Sequence, residues 1–345
     1  MNKQIFRAAV ALLAVLSVAA CHRRPLYDLN EQVKLIVEVD TDNISNVTCD
    51  IYNDDPNLTV PSVSTDMLRV MVYDQGGRLY TQGFISDKTI NAKGHEVLSG
   101  TIGVGLGQYD FLSYNFDTPD TQISGENGWE TITASTSEIP ASLKENYLTK
   151  ATDFNALKVY YEPDHVFVSR DRGISLKMSD EMTVIETTAY PIVDTYYIQI
   201  PVRGLTTNPN AVGVISGLAP SNAFGPNTPS QDASGVYFQM IKSTDPKLAG
   251  EDKDVLCGLF STFGKLPDAT SDVLFTINVV DAAGNKQQKD INLDTIFKSA
   301  DAIDHHWLLI DEVWEIDVPV TPGTSGGGFQ PEVNPWEQEE GGIAL

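Results

Sequence analysis

The chain is poor in cysteine and in positive charge. Its 345 residues include three cysteines, Cys21, Cys49 and Cys257, too few for the disulfide framework that staples small exported domains. Cys49 and Cys257 lie far apart, in what are read below as different domains, and are expected to be two separate buried thiols. Lysine and arginine number 23 against 47 aspartates and glutamates, a net charge of −24. Nucleic acid and anionic lipid both select basic surfaces, so neither is expected as an electrostatic partner. Long apolar runs are missing beyond the N-terminus. No later stretch approaches the ~18 consecutive apolar residues of a membrane-spanning helix.

Signatures of the common chemistries are missing as well. The five histidines form no His-Glu-x-x-His. His305 and His306 are adjacent, which on a strand sends them to opposite faces and away from a shared metal. No strand-to-helix nucleophile elbow of the Gly-x-Ser-x-Gly kind appears. Gly103-Val104-Gly105-Leu106-Gly107 has the wrong glycine spacing for a dinucleotide turn and reads as a β-turn or bulge. Acids gather at Asp40 and Asp42 and at Asp50, Asp54 and Asp55. They lack the order of an EF-hand, so solvated loops are expected. Nothing selects a carboxylate pair for glycoside hydrolysis. The expectation is therefore of no catalytic residue, no cofactor site and no metal site.

What is present starts at the N-terminus. Lys3 and Arg7 precede an apolar run from Ala8 to Val18, the layout of a secretory leader over residues 1–20. It ends in Val18-Ala19-Ala20-Cys21, which looks like a bacterial lipobox, making Cys21 the expected site of lipidation and a membrane tether. Two or more acyl chains on one residue hold stably where one does not. The leader carries the only basic residues lost and no acid, so the remainder is more acidic still. That suits a soluble body held off a negative surface.

The body reads as strands. Val33 to Asp40 alternates and is rich in β-branched residues. Leu68 to Asp74 and Leu79 to Phe84 flank Gln75-Gly76-Gly77-Arg78 as a hairpin. Further strands are expected at Val97–Val104, Tyr109–Phe116, Leu157–Tyr161 and His165–Ser169. Ser142 to Ala151 is one of few helical candidates, with Leu143, Tyr147, Leu148 and Ala151 at helical spacing. A second run begins near residue 183 and continues through Tyr196–Val202, Val212–Leu218, Val236–Ile241, Leu256–Phe263, Val273–Val280, Lys286–Leu293, Trp307–Ile310 and Val313–Val318. Many short strands with turns between them imply β-sandwiches, not an α/β sheet. The length favours two domains, divided here as residues 21–181 and 182–318. Residues 319–345 form a glycine-rich tail that is flexible by composition. In it Phe329, Val333 and Trp336 are apolar residues in an acidic segment, the candidates for docking on a partner.

Several stretches resemble the fimbrillin-like lipoproteins of Bacteroidetes, in the branch related to pilus anchor and assembly proteins of the FimB/Mfa2 type. They are the lipobox cysteine with Tyr27-Asp28 after it, Val104 through Asn115, Leu205 through Ala219, Gly258 through Gly264, and Glu315-Ile316-Asp317-Val318-Pro319 with the Trp-containing tail. The resemblance covers nearly the whole chain after the leader. It implies an all-β fold of two tandem transthyretin-like β-sandwich domains. It also implies a non-enzymatic, lipid-anchored protein of the cell envelope, at the outer membrane, acting in fimbriae or a related surface structure. In that family one subunit completes another by β-strand addition, so fimbrillin-type pilins are the implied partners. Pilins lose their first strand to a protease cutting after arginine, whereas anchors keep it. Arg23 and Arg24 are the only early basic pair, and a cut there would spare Val33 to Asp40. That implies an anchor. The alternative is a surface glycan-binding lipoprotein that stacks sugars on Trp129, Tyr160 and Tyr161.

Overall fold

The computed structural model describes residues 30–41, 64–116, 118–147, 157–179, 181–205, 210–243, 254–266, 273–280 and 286–316. Valine, isoleucine, threonine and aromatic side chains fit the pleated surface of a strand, and the described residues are overwhelmingly β. The first half holds β1 (Asn30–Val39), β2 (Leu68–Asp74), β3 (Leu79–Ile85), β4 (Asp87–Ile90), β5 (Glu96–Gly105), β6 (Gly107–Asn115), β7 (Thr121–Ser124) and β8 (Thr133–Thr136). A short helix, α1 (Ala141–Tyr147), precedes β9 (Val159–Tyr161), β10 (Phe167–Leu176) and β11 (Thr183–Pro191). The second half holds β12 (Asp194–Arg203), β13 (Asn210–Leu218), β14 (Ser221–Ala223), β15 (Thr228–Pro229), β16 (Ser234–Ser243), β17 (Asp254–Thr262), β18 (Leu274–Val280) and β19 (Lys286–Asn292). A 3₁₀ turn (Ile296–Lys298) and α2 (Ala300–His305) lead to β20 (Trp307–Leu309) and β21 (Trp314–Glu315).

The strands make three sheets. The first runs β3-β2-β6-β10-β11-β1-β5-β4. It folds into two four-stranded layers, because β10 and β11 pair only at Phe167–Pro191 and Val168–Tyr190 and a single residue, Ser86, links β3 to β4. Val33, Leu35, Val37 and Val39 of β1 face Leu68, Val70 and Val72 of β2 and Phe111 of β6 in one core. The second sheet runs β19-β18-β13-β16-β17-β12-β20, with β21 also on β12 and β9 on β16. Its layers join at β16, which pairs β13 through residues 234–240 and β17 through residues 241–243. Phe238, Phe260 and Phe275 stack at its centre, with ring centroids 5.0 and 6.1 Å apart. These are the two β-sandwiches expected from the sequence.

The third sheet, β15-β14-β8-β7, takes two strands from each half. It lies over the outer face of β2, β6 and the start of β10, so those stretches are buried on both sides. Met71, Tyr73, Leu112, Tyr114 and Val168 pack there against Trp129, Ile132 and Ala134 and against Ala219, Phe224, Phe263 and Leu266 of the second half.

The sheets set where the halves divide. β11 follows the 181/182 division drawn from the sequence, yet it pairs in parallel with β1 along seven residues from Val33–Thr183 to Val39–Ala189. The chain changes sandwich between β11 and β12. In the other direction, β9 precedes the division and pairs with β16 of the second sandwich. The expected helix is found at Ala141–Tyr147, where Leu143 packs against Val212 and Tyr237. Residues 148–151 of that expectation lie outside the described residues.

Candidate functional site

Cys21, Arg23 and Arg24, and the tail residues Phe329, Val333 and Trp336, lie outside the described residues, as does Cys49. What the structure defines is where the chain enters and leaves the body. It enters at β1. That strand is antiparallel to β5 from Asn30–Gly105 to Glu38–Val97, and parallel to β11 on its other edge. Val33, Leu35, Val37 and Val39 have no exposed surface. Burying an aliphatic side chain is worth roughly 1.5–3 kcal/mol. Four such residues thus contribute about 6–12 kcal/mol, comparable with the whole stability of an ordinary domain. On the opposite face Glu38 accepts from Lys93 at 3.3 Å and meets the buried His95 ring at 2.7 Å. The hydrogen bond with His95 holds the Glu38 carboxyl below its ordinary value.

The chain leaves beside β12. β20 runs parallel to Tyr197–Gln199 and β21 parallel to Val202–Arg203. Three backbone bonds, Tyr197 N–H to His306 O, Ile310 N–H to Gln199 O and Ile316 N–H to Arg203 O, hold this edge at 3.0–3.1 Å. Arg203 Nη1 reaches Glu315 Oε1 at 3.0 Å. Asn30 therefore lies at the end of the first sandwich remote from the crossover. Ile316 lies at the end of β12 remote from the same crossover.

The crossover region is built from charged groups as well as the apolar layer. Arg170 of β10 donates through Nε to the Phe224 carbonyl and through Nη2 to Asn227 Oδ1 at 3.1 Å. Burial pulls its pKa down to about 10, so it stays charged at neutral pH. Glu162, between β9 and β10, accepts the backbone N–H of Ser261 in β17 at 2.8 Å. Burial pushes its carboxyl up to about 8, and the Ser261 hydrogen bond opposes that rise. Asp194, at the start of β12, is also raised by burial, with His306 opposing the rise.

The residues chosen for sugar stacking separate on inspection. Trp129 is 1% exposed. Its ring meets Tyr73 edge-on at 5.7 Å, and the Arg172 guanidinium lies 5.1 Å from its centroid. It is a core residue of the bridging sheet and offers no face to a sugar, which corrects the expectation. Trp129 N–H bonds Gly77 O at 2.8 Å, which ties its turn to the β2–β3 hairpin. Tyr160 is half-buried, and Tyr161 packs edge-on against Tyr237 at 6.3 Å. The three do not form one platform.

The histidine pair also separates. His305 packs on Trp307 at 4.8 Å, whereas His306, with φ 55°, stacks on Tyr196 at 4.5 Å. Among the described residues no group of three His, Cys, Asp or Glu side chains is placed to hold a metal. Of Gly103 to Gly107, the first three residues end β5 and Gly107 opens β6, with Leu106 alone between the two strands. A Cβ on Gly105 would sit 2.8 Å from the hydroxyl of the exposed Tyr80. Cys257 is buried in β17 beside Val255 and Tyr197.

Two sandwiches sharing a bridging sheet, with an enclosed first strand and a chain exit on an edge, define a tandem β-sandwich protein. The chain belongs to the family DUF5119, a "Domain of unknown function", whose profile matches residues 58–239. It is 22% identical over 360 residues to the "Putative fimbrium anchoring subunit Fim4B" of Bacteroides ovatus, covering 96% of this chain and 95% of that one. The crystal structure of a "putative adhesin" from Bacteroides ovatus shares the fold, with a TM-score of 0.57 and 19% identity over 88% of this chain and 98% of the other. The fimbrial anchor protein Mfa2 from Porphyromonas gingivalis scores 0.45 at 15% identity, over 81% and 88% of the two chains. The relative named as an anchoring subunit agrees with the resemblance read from the sequence.

Proposed function

We propose that this chain is a non-enzymatic anchor or assembly subunit of fimbriae, tethered to the outer membrane through a lipidated Cys21. The observation that carries the reading is the enclosure of β1. It is paired on both edges and fully buried on its inner face, so among the described residues the place a neighbour's strand would take beside β5 and β11 is filled by the chain's own strand. A cut after Arg24 would leave it in place, because the strand starts at Asn30. A subunit that accepts no strand at its membrane end terminates a fibre there. The 22% identical relative named as a fimbrium anchoring subunit supports the same role, and a cell-envelope location with it.

The free end is then the tail. It leaves the body beside Arg203, remote from the crossover, and carries Phe329, Val333 and Trp336. In this reading those residues engage a fimbrillin-type subunit by strand addition, with main-chain hydrogen bonds giving affinity and alternate side chains filling pockets. The test removes residues 320–345 and measures co-purification with surface fimbriae. Recovery is expected to collapse while the protein stays in the membrane fraction. Unchanged recovery would sink the tail's part. A strain lacking the gene is expected to shed its fibres into the medium.

A further inference from the structure

The end of the first sandwich at which β1 begins carries exposed apolar side chains from two separate turns. Leu106 stands in the β5–β6 reversal between Gly105, the partner of Asn30, and Gly107, the partner of Leu176. Met178 follows Leu176 by two residues in the β10–β11 connection. Met182 precedes Thr183, the partner of Val33. The register thus puts Leu106, Met178 and Met182 around the entry point of the chain. They are 38%, 74% and 51% exposed, and Val184 beside them is 49% exposed. Methionine is unbranched and adapts to irregular apolar surroundings.

Chain length connects this tip to a bilayer. Nine chain steps separate Cys21 from Asn30. They can span at most about 30 Å. Resting on the tether proposed above, we infer that this tip is a membrane-facing surface, with Leu106, Met178 and Met182 seated in the interfacial layer of the lipid. A few apolar side chains bind a bilayer weakly on their own. Tethering makes the contact intramolecular, at an effective concentration of order millimolar, where a weak contact is populated. Lys34, Arg172 and Lys177 lie near the tip, with Glu181 exposed beside them and Asp110 paired to Arg172 at 3.1 Å. Asp74, paired to Arg78 at 3.2 Å, and Glu31, opposite Val104, lie at the same end, so the charges there are of both signs and the contact is apolar, made with uncharged lipid. The opposite end of the same sandwich bears Met67, next to the Leu68–Asn115 pair. It is 37% exposed and serves as an internal reference.

The experiment uses the full lipidated chain in vesicles of equal parts phosphatidylcholine and phosphatidylethanolamine, and the Cys21→Ser chain free in solution. Both are treated with hydrogen peroxide, and sulfoxide formation at each methionine is followed by peptide mapping. On vesicles, oxidation of Met178 and Met182 is expected to slow at least threefold relative to the free chain, with Met67 unchanged. Equal rates at Met178 and Met182 in a chain that floats with the vesicles would overturn the contact and leave the tether standing. Equal slowing at Met67 would also overturn it, since shading would then be general. A lipidated chain that fails to float would overturn the tether and the contact together.

Discussion

At the scale of single residues, the informative groups are those buried between the sandwiches. Glu162 is held protonated by its surroundings up to about pH 8, while an unfolded chain releases that proton near the ordinary value of 4.5. The folded state binds the extra proton between those values. The group's contribution to stability is full below the lower value and is lost as pH rises through the upper one. Glu162→Gln keeps an acceptor for the Ser261 N–H and cannot ionise. Its stability relative to wild type should therefore rise between pH 5 and pH 8. Glu162 retains part of its surface, so the gain is put at roughly 2 kcal/mol, about half of what the full shift corresponds to. Denaturant titrations at the two pH values measure it, and a gap independent of pH would refute the assignment. Trp129→Ala is a second case. Loss of a buried Trp leaves a cavity under the bridging sheet and should cost about 3–5 kcal/mol, seen as a lower Tm without any change in glycan binding. The sequence hid this burial. Asn127, Gly128 and Glu130 make the neighbourhood of Trp129 look like an exposed turn, and the residues that cover it, Tyr73 and Phe224, are distant in the chain.

At the scale of elements, β1 decides whether the first sandwich exists. A chain that begins after residue 41 lacks the four inward side chains and both neighbouring ladders. It should fail to fold its first half, and a synthetic peptide of residues 30–41 added in trans should restore it. Recovery of dispersed amide signals on titration is the measurement. A truncated chain that folds unaided would show that β5 and β11 can close on each other. This strand was legible because Val33, Leu35, Val37 and Val39 alternate with polar Gln32, Lys34 and Glu38. Other long strands were legible as β-branched, apolar or aromatic runs, and the β2–β3 hairpin from the turn residues Gln75-Gly76-Gly77-Arg78. β4, β7, β8, β14 and β15 were not. They are short, and Thr, Ser, Asn and Pro within them read as loop. They are strands because partners elsewhere complete them, as Ala134 does for Asn222. The membership of β11 was hidden likewise, because parallel pairing with β1 leaves no local mark.

At the scale of the whole molecule, the bridging sheet and the exchange of β9 make the two sandwiches one folding unit. Cutting the chain between residues 193 and 194 would take β14 and β15 from β8, and β9 from β16. Each half expressed alone is expected to be insoluble or loosely packed, and the two expressed together to associate. Calorimetry of the intact chain should give one transition, with calorimetric and van't Hoff enthalpies in agreement. Two separated transitions would contradict this.

The direction of β1 has a mechanical meaning. A load applied between residue 30 and residue 316 pulls β1 along its own axis. Its inter-strand bonds run across that axis. Nine register pairs with β5 and seven with β11 then resist together in shear. They are not unzipped one at a time from an end. The segment from Trp307 to Ile316, parallel to β12, is loaded along its length as well. Drag on an attached fibre would thus be borne by whole ladders at both ends of the body.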